Sequence, residues 1–335
     1  MKFDYIIGNP PYQEETESDS TRKPPIYNWF MEEAYMLASK VVLITPARFL
    51  FNAGFTPKAW NEKMLSDTHF KVLHYEPVSS KVFSNTDIKG GVIVSYHDNN
   101  ASFGPIDTFT KYSELNDILK KVREKCSEFL DSIISSPLSY KVSQKMMDDY
   151  PDSIGRLRTS AFSKLADIFF ETIPDNNHCY IGMIGLLNGK RVIRYVRKDY
   201  ILDGSGTLDK YTLLVAKANG VGEFGEPLSD FTIAKPGIGY TQTFIGIGKC
   251  ETKMEVTNIS KYIKTKFARA LLGVLKITQD CPGPKWKYVP LQNFTPDSDI
   301  NWNTSIPNID RQLYKKYDLS AEEIAFIETH VKEME

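Results

Sequence analysis

Apolar positions in the first hundred residues fall into short unperiodic runs and helical stripes that alternate along the chain. Phe3 to Ile7 form a short apolar run without a helical period, which predicts a strand buried on both faces. The following segments predict a helix over 26–39, a strand over 41–45, a helix over 57–66, and strands over 69–76 and 91–96. Strands that alternate with helices indicate an α/β fold, here with part of a doubly wound sheet.

The pattern changes near residue 109, so the sequence predicts two domains, 1–108 and 109–335. In the second domain, the apolar stripes predict helices over 113–132 and 257–277. Asn188-Gly189 predicts a hairpin between strands at 181–187 and 191–196. Ser320 and Glu323 form a capping box, which predicts the start of a last helix. The second domain is therefore expected to be mixed α+β.

The four residues directly after the first strand, Asn9-Pro10-Pro11-Tyr12, combine hydrogen-bond acceptors with an aromatic ring. Two consecutive prolines fix φ and remove two N–H donors, so this backbone is stiff and presents acceptors. The exocyclic amino group of adenine is a donor that such acceptors can hold, and Tyr12 can stack on the base. Ligands of open α/β sheets bind at the carboxyl ends of strands. The alternative interpretation is a polyproline turn at a strand end.

The motif and its surroundings resemble the N6-adenine DNA methyltransferases of bacterial type II restriction-modification systems, whose catalytic motif is Asn-Pro-Pro-Tyr. The resemblance continues in order through residues 41–49, 81–83 and 87–92, and residues 262–267, 286–290 and 313–317 look like the specificity region of such enzymes. It implies a Rossmann-like methyltransferase sheet followed by a target-recognition domain. It also implies that Asn9, Pro10, Pro11 and Tyr12 are catalytic.

The reaction implied by the resemblance is methylation of an adenine that has left the DNA stack, at a cost of a few kcal/mol for unstacking. The side-chain oxygen of Asn9 and the carbonyl of Pro10 would hold the amino hydrogens. Tyr12 would stack on the base. The place of Phe83 in the family's pattern makes it a second candidate for the same role. The alternative for Phe83 is an ordinary core aromatic.

S-adenosylmethionine is the cofactor that the resemblance implies for the complete enzyme. In the family, a glycine-rich loop for it precedes the Asn-Pro-Pro-Tyr motif, whereas only eight residues precede Asn9 here. Residues 220–225 match a dinucleotide-binding fingerprint. Such a fingerprint works at the start of a helix, but the residues that follow here do not predict a helix. This pattern favours a mobile or DNA-facing loop. We therefore expect no cofactor binding by this chain alone and assign no cofactor-binding residues.

The absence of the cofactor loop has a structural consequence for the first strand. In the family's strand order this strand pairs with the strand that carries the cofactor loop, so one of its edges is expected to be unpaired. We predict that this edge contacts a chain or segment carrying the cofactor-binding half, or allows self-association. Residues 13–23, polar and without periodicity, are expected to form a mobile loop beside the site.

The predicted DNA surface combines basic residues with aromatic neighbours, which suits phosphate contact and stacking. Its residues on and after the predicted 257–277 helix are Lys261, Thr265, Arg269, Lys285 and Lys287. Those on the predicted hairpin include Lys190, Arg191 and Arg194. The alternative is a solvated helix face and an edge strand guarded by basic side chains.

Composition limits the classes of protein. The chain has 335 residues, of which 41% are hydrophobic, and a net charge of −1, so double-stranded DNA must be bound through local patches. Four scattered cysteines indicate neither a disulfide framework nor a metal site. No continuous apolar run is long enough to span a membrane, and the N-terminus lacks a signal-peptide pattern, so a cytoplasmic protein is expected.

The sequence thus predicts one part of a site-specific DNA adenine methyltransferase that supplies the target-adenine pocket and DNA recognition. Two rivals remain. One is a DNA-specificity or interaction module without its own catalysis. The other is a restriction endonuclease subunit, in which Glu251-Thr252-Lys253 and Asp230 would form part of a metal-dependent cleavage motif.

Overall fold

The computed structural model of the chain describes residues 3–14, 24–53, 55–84, 88, 90–153, 157–174, 177–229 and 231–334. The chain divides into two compact units, 1–116 and 117–335. The fold class is mixed α/β, with several sheets and helices in the described part of the chain. None of the described helices is long and apolar enough to cross a membrane.

Unit 1 contains one four-stranded sheet and two α-helices among its described residues. Its elements are β1 (Phe3–Gly8), α1 (Tyr27–Leu37), β2 (Ala38–Pro46), α2 (Lys58–Ser66), β3 (Phe70–Glu76) and β4 (Val92–Asp98). The strand order is β1-β2-β4-β3. β1 is parallel to β2, and β4 is antiparallel to both β2 and β3. The sheet is thus a β-α-β unit extended by two antiparallel strands.

One face of this sheet packs against α1 and α2. The core includes Met31 of α1, Trp60 and Met64 of α2, and Val41 and Leu43 of β2. Val41 and Leu43 are two residues apart, so they lie on the same face of their strand. Burial alternates from Val41 to Thr45, where the residues between the buried positions are less buried.

The prediction that Phe3 to Ile7 is buried on both faces is wrong. Tyr5 is 65% exposed and Ile7 is 79% exposed, and only Ile6 packs against the core. The cause is the place of β1 in the sheet, since it pairs with β2 on one side and with no other strand of the described residues. Among the described residues, β1 is thus an edge strand of its sheet.

Unit 2 is built around several small sheets. The remaining helices are α3 (Ser113–Lys125), α4 (Gln144–Asp149), α5 (Ala161–Lys164), α6 (Lys253–Lys264), α7 (Lys266–Leu272), α8 (Ile306–Lys316) and α9 (Ala321–His330). The strands are β5 (Ile134–Ser135), β6 (Tyr140–Val142), β7 (Tyr180–Leu187), β8 (Lys190–Arg197), β9 (Ile201–Asp203), β10 (Tyr211–Ala216), β11 (Phe231–Ala234), β12 (Ile238–Tyr240) and β13 (Phe244–Cys250). The sheets have the orders β11-β10-β13-β5, β12-β7-β8 and β6-β9.

The predicted hairpin and the last helix are confirmed. β7 and β8 pair antiparallel around Asn188 and Gly189, whose φ angles of 51° and 74° match the left-handed residues of a two-residue hairpin turn. α9 begins after Ser320, whose side chain accepts from the backbone N–H of Glu323 while the Glu323 carboxylate accepts from Ser320. Local sequence decides both features, because each involves residues that are neighbours in the chain.

The predicted helix over 257–277 is two helices, and the predicted helix over 113–132 ends at Lys125. The break between α6 and α7 lies at Thr265, whose hydroxyl donates to the carbonyl of Tyr262 and accepts from the N–H of Ala268. The Asp310 carboxylate accepts from the first two N–H groups of α7, over 3.0 and 2.9 Å. These acceptors stabilise a helix start where periodicity alone predicts a continuous helix.

Candidate active site

The Asn-Pro-Pro-Tyr segment leaves the sheet at the carboxyl end of β1. Gly8, the last residue of β1, pairs with Leu43 of β2, and the motif begins at the next residue. Asn9 is exposed, and Pro10 and Tyr12 are partly exposed. A ligand can therefore reach the amide oxygen of Asn9 at the place where ligands of open sheets bind.

Tyr12 is held by the segment that enters α1. Its backbone carbonyl accepts from the N–H of Ile26 over 3.2 Å, and the N–H of Glu14 donates to the carbonyl of Pro24 over 3.1 Å. Residues 13 and 25 form an antiparallel bridge, so the two ends of the predicted mobile loop are tied together. The rest of that loop, 15–23, lies outside the described residues.

The Tyr12 side chain combines an apolar contact with an unsatisfied hydroxyl. The ring packs against the core of unit 1, and its hydroxyl is buried without a hydrogen-bond partner among the described residues. This burial raises the pKa of Tyr12 to about 12, because desolvation disfavours the phenolate. Tyr12 therefore stays neutral at physiological pH, and its ring, rather than its hydroxyl, is suited to contact a ligand.

Phe83 lies beside Tyr12. Their ring centroids are 6.3 Å apart, and the ring planes meet at 69°, which is an edge-to-face contact. The structure thus brings together two aromatic residues that are 71 positions apart in the sequence. Phe83 is partly exposed and does not belong to the buried core of unit 1.

Sequence reasoning missed the residue that positions Phe83. Ser79 is buried, and its backbone carbonyl accepts from the N–H of Phe83 over 2.9 Å. Its hydroxyl accepts from the N–H of Ile88 over 2.8 Å. Ser79 therefore fixes the short 3-10 turn, Ser79–Lys81, that carries Phe83. No sequence pattern marks Ser79, because its contact with Phe83 is made by a backbone carbonyl.

The glycine-rich segment 220–225 forms a turn in which Gly222 and Gly225 pack closely against the rest of the chain. A Cβ at Gly222 would lie 2.6 Å from the backbone of Ile277 and Thr278, and one at Gly225 would lie 2.7 Å from Val331. The φ angles of Gly222 and Gly225 are 96° and 71°, which side chains rarely adopt. Both glycines are therefore required by the fold.

The interior of this turn is filled by a carboxylate of the chain itself. Glu226 accepts from the N–H groups of Val221 and Gly222 over 2.8 and 2.9 Å, and forms an ion pair with Lys276. Burial alone would raise the pKa of Glu226, but Lys276 and the two N–H donors outweigh it and hold the pKa below its usual value. The N–H groups that a phosphate would need are already used, so the turn does not fit a nucleotide cofactor.

Two of the predicted DNA-contacting residues have structural roles instead. Thr265 is 0% exposed and caps α7. Arg269 is 2% exposed, and its guanidinium donates to the backbone carbonyls of Gly225, Glu226 and Lys332. Their assignment to a DNA surface is wrong, because side chains this buried cannot reach a phosphate.

The other predicted DNA contacts keep some exposure. Lys261 is half-buried and donates to the carbonyl of Trp302 over 2.6 Å, and Arg194 lies 3.6 Å from the carboxylate of Glu171. Arg191 stacks on Phe244, with 4.7 Å between the guanidinium carbon and the ring centroid.

Among the remaining basic residues of that surface, Lys285 is half-buried, while Lys190 and Lys287 are exposed. Lys287 also lies over the ring of Tyr288, 5.1 Å from its centroid. Lys190 and Lys287 are therefore the most accessible cations of the predicted surface.

The residues of the predicted nuclease motif serve the start of α6. Thr252 caps the helix in a capping box with Glu255, and Glu251 pairs with Lys210. Asp230 lies outside the described residues. The part of the chain that the structure describes contains no cluster of three or more His, Cys, Asp or Glu suited to a metal ion.

Comparisons with known proteins point to methylation. The sequence model of the Eco57I restriction-modification methylase family matches residues 1–83, which include the motif, Tyr12 and Phe83. An uncharacterized adenine-specific methylase of Mycoplasma pneumoniae is 32% identical over 103 residues, which are 30% of this chain. The chain spans about a quarter of the length of that relative, 24%.

A solved structure of the Type IIL restriction-modification enzyme MmeI in complex with DNA aligns with 98% of this chain and 56% of its own, at 9% identity and a TM-score of 0.33. A score this low does not establish a shared fold. The family match and the relative support a restriction-modification methylase, and the family match lies within the unit that carries the candidate active site.

Proposed function

We propose that this chain supplies the target-adenine pocket of a DNA N6-adenine methyltransferase of a restriction-modification system, and that it acts together with a separate segment that binds the methyl donor. The observation that carries the proposal is the accessible Asn9-Pro10-Pro11-Tyr12 corner at the end of β1, with Phe83 at 6.3 Å from Tyr12. The match of residues 1–83 to a restriction-modification methylase family supports it.

The corner offers acceptors in a stiff frame. The side-chain oxygen of Asn9 and the carbonyl of Pro10 would accept the two hydrogens of the adenine amino group. Holding both hydrogens localises the nitrogen lone pair and orients it. The fixed geometry thereby lowers the activation free energy of methyl transfer. Asn9 can act this way because its side chain is exposed and follows a strand whose partner β2 fixes the backbone.

The aromatic pair would hold the extruded base. Stacking on one aromatic ring is worth about 1–3 kcal/mol, which offsets part of the cost of about a few kcal/mol for removing a base from the duplex. The ring of Tyr12 is anchored by its apolar contact with the core, and Phe83 is fixed by the buried Ser79 turn. Neither ring needs to reorganise to bind a base.

S-adenosylmethionine would supply the methyl group in the complete enzyme. The glycine-rich turn at 220–225 is not suited to it, because the carboxylate of Glu226 already accepts from the N–H groups of that turn. Calorimetric titration of the chain alone with S-adenosylmethionine should therefore show negligible affinity.

The proposed function is tested by product analysis. The enzyme that contains this chain is incubated with S-adenosylmethionine that carries a labelled methyl group and with duplex DNA. Hydrolysed DNA should contain labelled N6-methyladenine, and removal of the segment that binds the methyl donor should abolish the label. Label in cytosine would refute the proposal. So would the absence of label in a mixture that binds both DNA and the methyl donor.

We expect Tyr12→Ala to weaken binding of DNA whose target adenine is extruded from the stack by about 1–3 kcal/mol, since the substitution removes the stacking ring. Tyr12→Phe is the matched control, because it keeps the ring and removes a hydroxyl that has no partner among the described residues. Fluorescence anisotropy with 2-aminopurine at the target position measures both. Equal affinity of the two variants would exclude stacking by Tyr12.

Lys190 and Lys287 are proposed to contact DNA phosphates, since both are exposed. Replacing either one by alanine should reduce the slope of log affinity against log salt by about 0.9, the value for one lost phosphate contact. Lys58→Ala, at a highly exposed lysine of unit 1, is the control and should leave the slope unchanged. Unchanged slopes for Lys190 and Lys287 would remove these residues from the DNA surface.

A further inference from the structure

Two loops of unit 2 meet in an exposed tip. The first is the glycine-rich turn, and the second is the segment 277–280, which lies after α7. Their backbones are in close contact, since a Cβ at Gly222 would lie 2.6 Å from backbone atoms of Ile277 and Thr278. Val221 and Ile277 are both apolar, yet each is 72% exposed. We call Val221 together with residues 277–280 the Val221 tip.

Hydrogen bonds fix the backbone of this tip. The N–H of Asn219 donates to the carbonyl of Gln279 over 2.8 Å. Asn219 is buried, and its side chain donates to the carbonyl of Ser229 over 2.7 Å and accepts from the N–H of Ser229 over 2.9 Å. The N–H of Val221 donates to the carboxylate of Glu226 over 2.8 Å. The exposed side chains therefore project from a backbone that does not need to reorganise when a partner binds.

The side chains of the Val221 tip have the chemistry that distinguishes base pairs. Thr278 and Gln279 are exposed beside the two apolar residues. A glutamine amide carries a donor and an acceptor, so it can bind the N6 and N7 atoms of an adenine together in the major groove. Apolar side chains recognise thymine through contact with its methyl group. The combination therefore suits A·T base pairs.

The charges near the tip also suit DNA. The carboxylate of Asp280 lies 3.1 Å from the ammonium of Lys217, so the acidic charge of the tip is balanced. Lys287, proposed above to contact a phosphate, follows Gln279 by eight residues. Eight residues span at most about 29 Å, which is the length of about eight base pairs. The tip and Lys287 can thus contact the same DNA site.

We propose that the Val221 tip reads part of the target sequence in the major groove. Gln279 binds an adenine, and Val221 and Ile277 contact the methyl group of a thymine. The inference rests on the DNA-binding part of the proposed function and names residues that determine its sequence specificity. Exposed apolar residues can also bind a protein. An exposed glutamine on the same fixed backbone, within reach of a proposed phosphate contact, favours DNA.

Sequence preference is measured with the enzyme that contains this chain and a library of random duplexes, from which the bound fraction is sequenced. Gln279→Ala should lose the preference for adenine at one base pair and weaken binding of the wild-type site by about tenfold, which is about 1.4 kcal/mol. Gln279→Glu should change the preferred base at that position to cytosine, because a carboxylate accepts from the cytosine amino group. Gln144→Ala, at an exposed glutamine of α4, is the control and should leave the preference unchanged.

The apolar contact is tested with uracil, which lacks the methyl group of thymine. Replacing one thymine of the selected site by uracil should weaken binding by wild type by about fourfold, the effect of one buried methyl group. The double variant Val221→Ala with Ile277→Ala should bind both DNAs equally. Ile173→Ala, at a 51% exposed apolar residue of unit 2, is the control and should keep the difference.

Two results would overturn the inference. One is the same sequence preference for wild type, Gln279→Ala and the double variant. The other is unchanged DNA selection by variants that dissociate an oligomer formed by wild type in sedimentation velocity, which would assign the tip to a protein interface.

Failure of the proposed function gives a different result, because selection by binding needs no methyl donor. A sequence preference that depends on Gln279, without methylation of adenine, would retain the reading tip and refute the function. Methylation of adenine in a target sequence that Gln279→Ala leaves unchanged would retain the function and refute the reading tip.

Discussion

Asn9→Ala is expected to reduce methyl transfer to adenine by about 10²–10³-fold, the range for removal of one preorganised polar group that acts on the reacting atoms. Asn9 supplies one of the two proposed acceptors for the amino hydrogens, and its side chain is exposed at the end of β1. The fold should be unaffected, because the Asn9 side chain is exposed and is not part of the buried core of unit 1. Single-turnover methyl transfer by the assembled enzyme measures the effect.

Two variants make this result specific to the acceptor. Asn9→Asp keeps an acceptor oxygen and should retain most of the rate, within about tenfold of wild type. Asn100→Ala changes another exposed asparagine of unit 1 and should have no effect. Transfer by Asn9→Ala at the rate of Asn100→Ala would exclude Asn9 from the reaction. A fall in the melting temperature of Asn9→Ala would assign it a structural role instead.

The strands and helices of unit 1 could be predicted from sequence because each is a short periodic segment bounded by turn residues. The predicted strand at 91–96 is observed at Val92–Asp98, and the predicted helix at 57–66 is observed at Lys58–Ser66. The burial of β1 could not be predicted. Burial depends on the neighbouring strand, and the apolar run of β1 gives the same pattern with one neighbour or two.

The candidate site could be predicted in part for the same reason. Asn9 to Tyr12 are contiguous, so their placement at a strand end follows from local pattern. The contact between Tyr12 and Phe83 could not be predicted, since no periodicity relates residues 71 positions apart. Ser79, which positions Phe83, has no pattern of its own.

Unit 2 shows how buried charge misleads a sequence-based prediction. Arg269 is part of a basic stripe on a predicted helix, which is typical of a DNA-binding face. Its partners are four backbone carbonyls, those of Gly225, Glu226, Lys264 and Lys332, and no sequence pattern identifies a carbonyl partner. Burial lowers the pKa of Arg269 to about 10, so the side chain remains charged at neutral pH and must keep these partners. Its place in the fold depends on residues 44 positions upstream and 63 downstream.

Glu226→Ala is expected to lower the free energy of unfolding by about 3–5 kcal/mol, the cost of removing one partner of a buried ion pair. Lys276 is only 3% exposed, so its ammonium would stay buried without a counter-charge. The N–H groups of Val221 and Gly222 would lose their acceptor as well. Chemical denaturation followed by tryptophan fluorescence measures the change, which should appear in the unfolding of unit 2.

The same turn provides the control. Glu223 pairs with Lys332 over 3.3 Å, and both side chains are more than 60% exposed, so Glu223→Ala should cost less than about 1 kcal/mol. Replacing both members of the buried pair, as Glu226→Met with Lys276→Met, should restore much of the stability, since no charge is then left unpaired. If Glu226→Ala is as stable as Glu223→Ala, the buried pair does not stabilise the turn. In that case the packing of Gly222 and Gly225 alone would hold it.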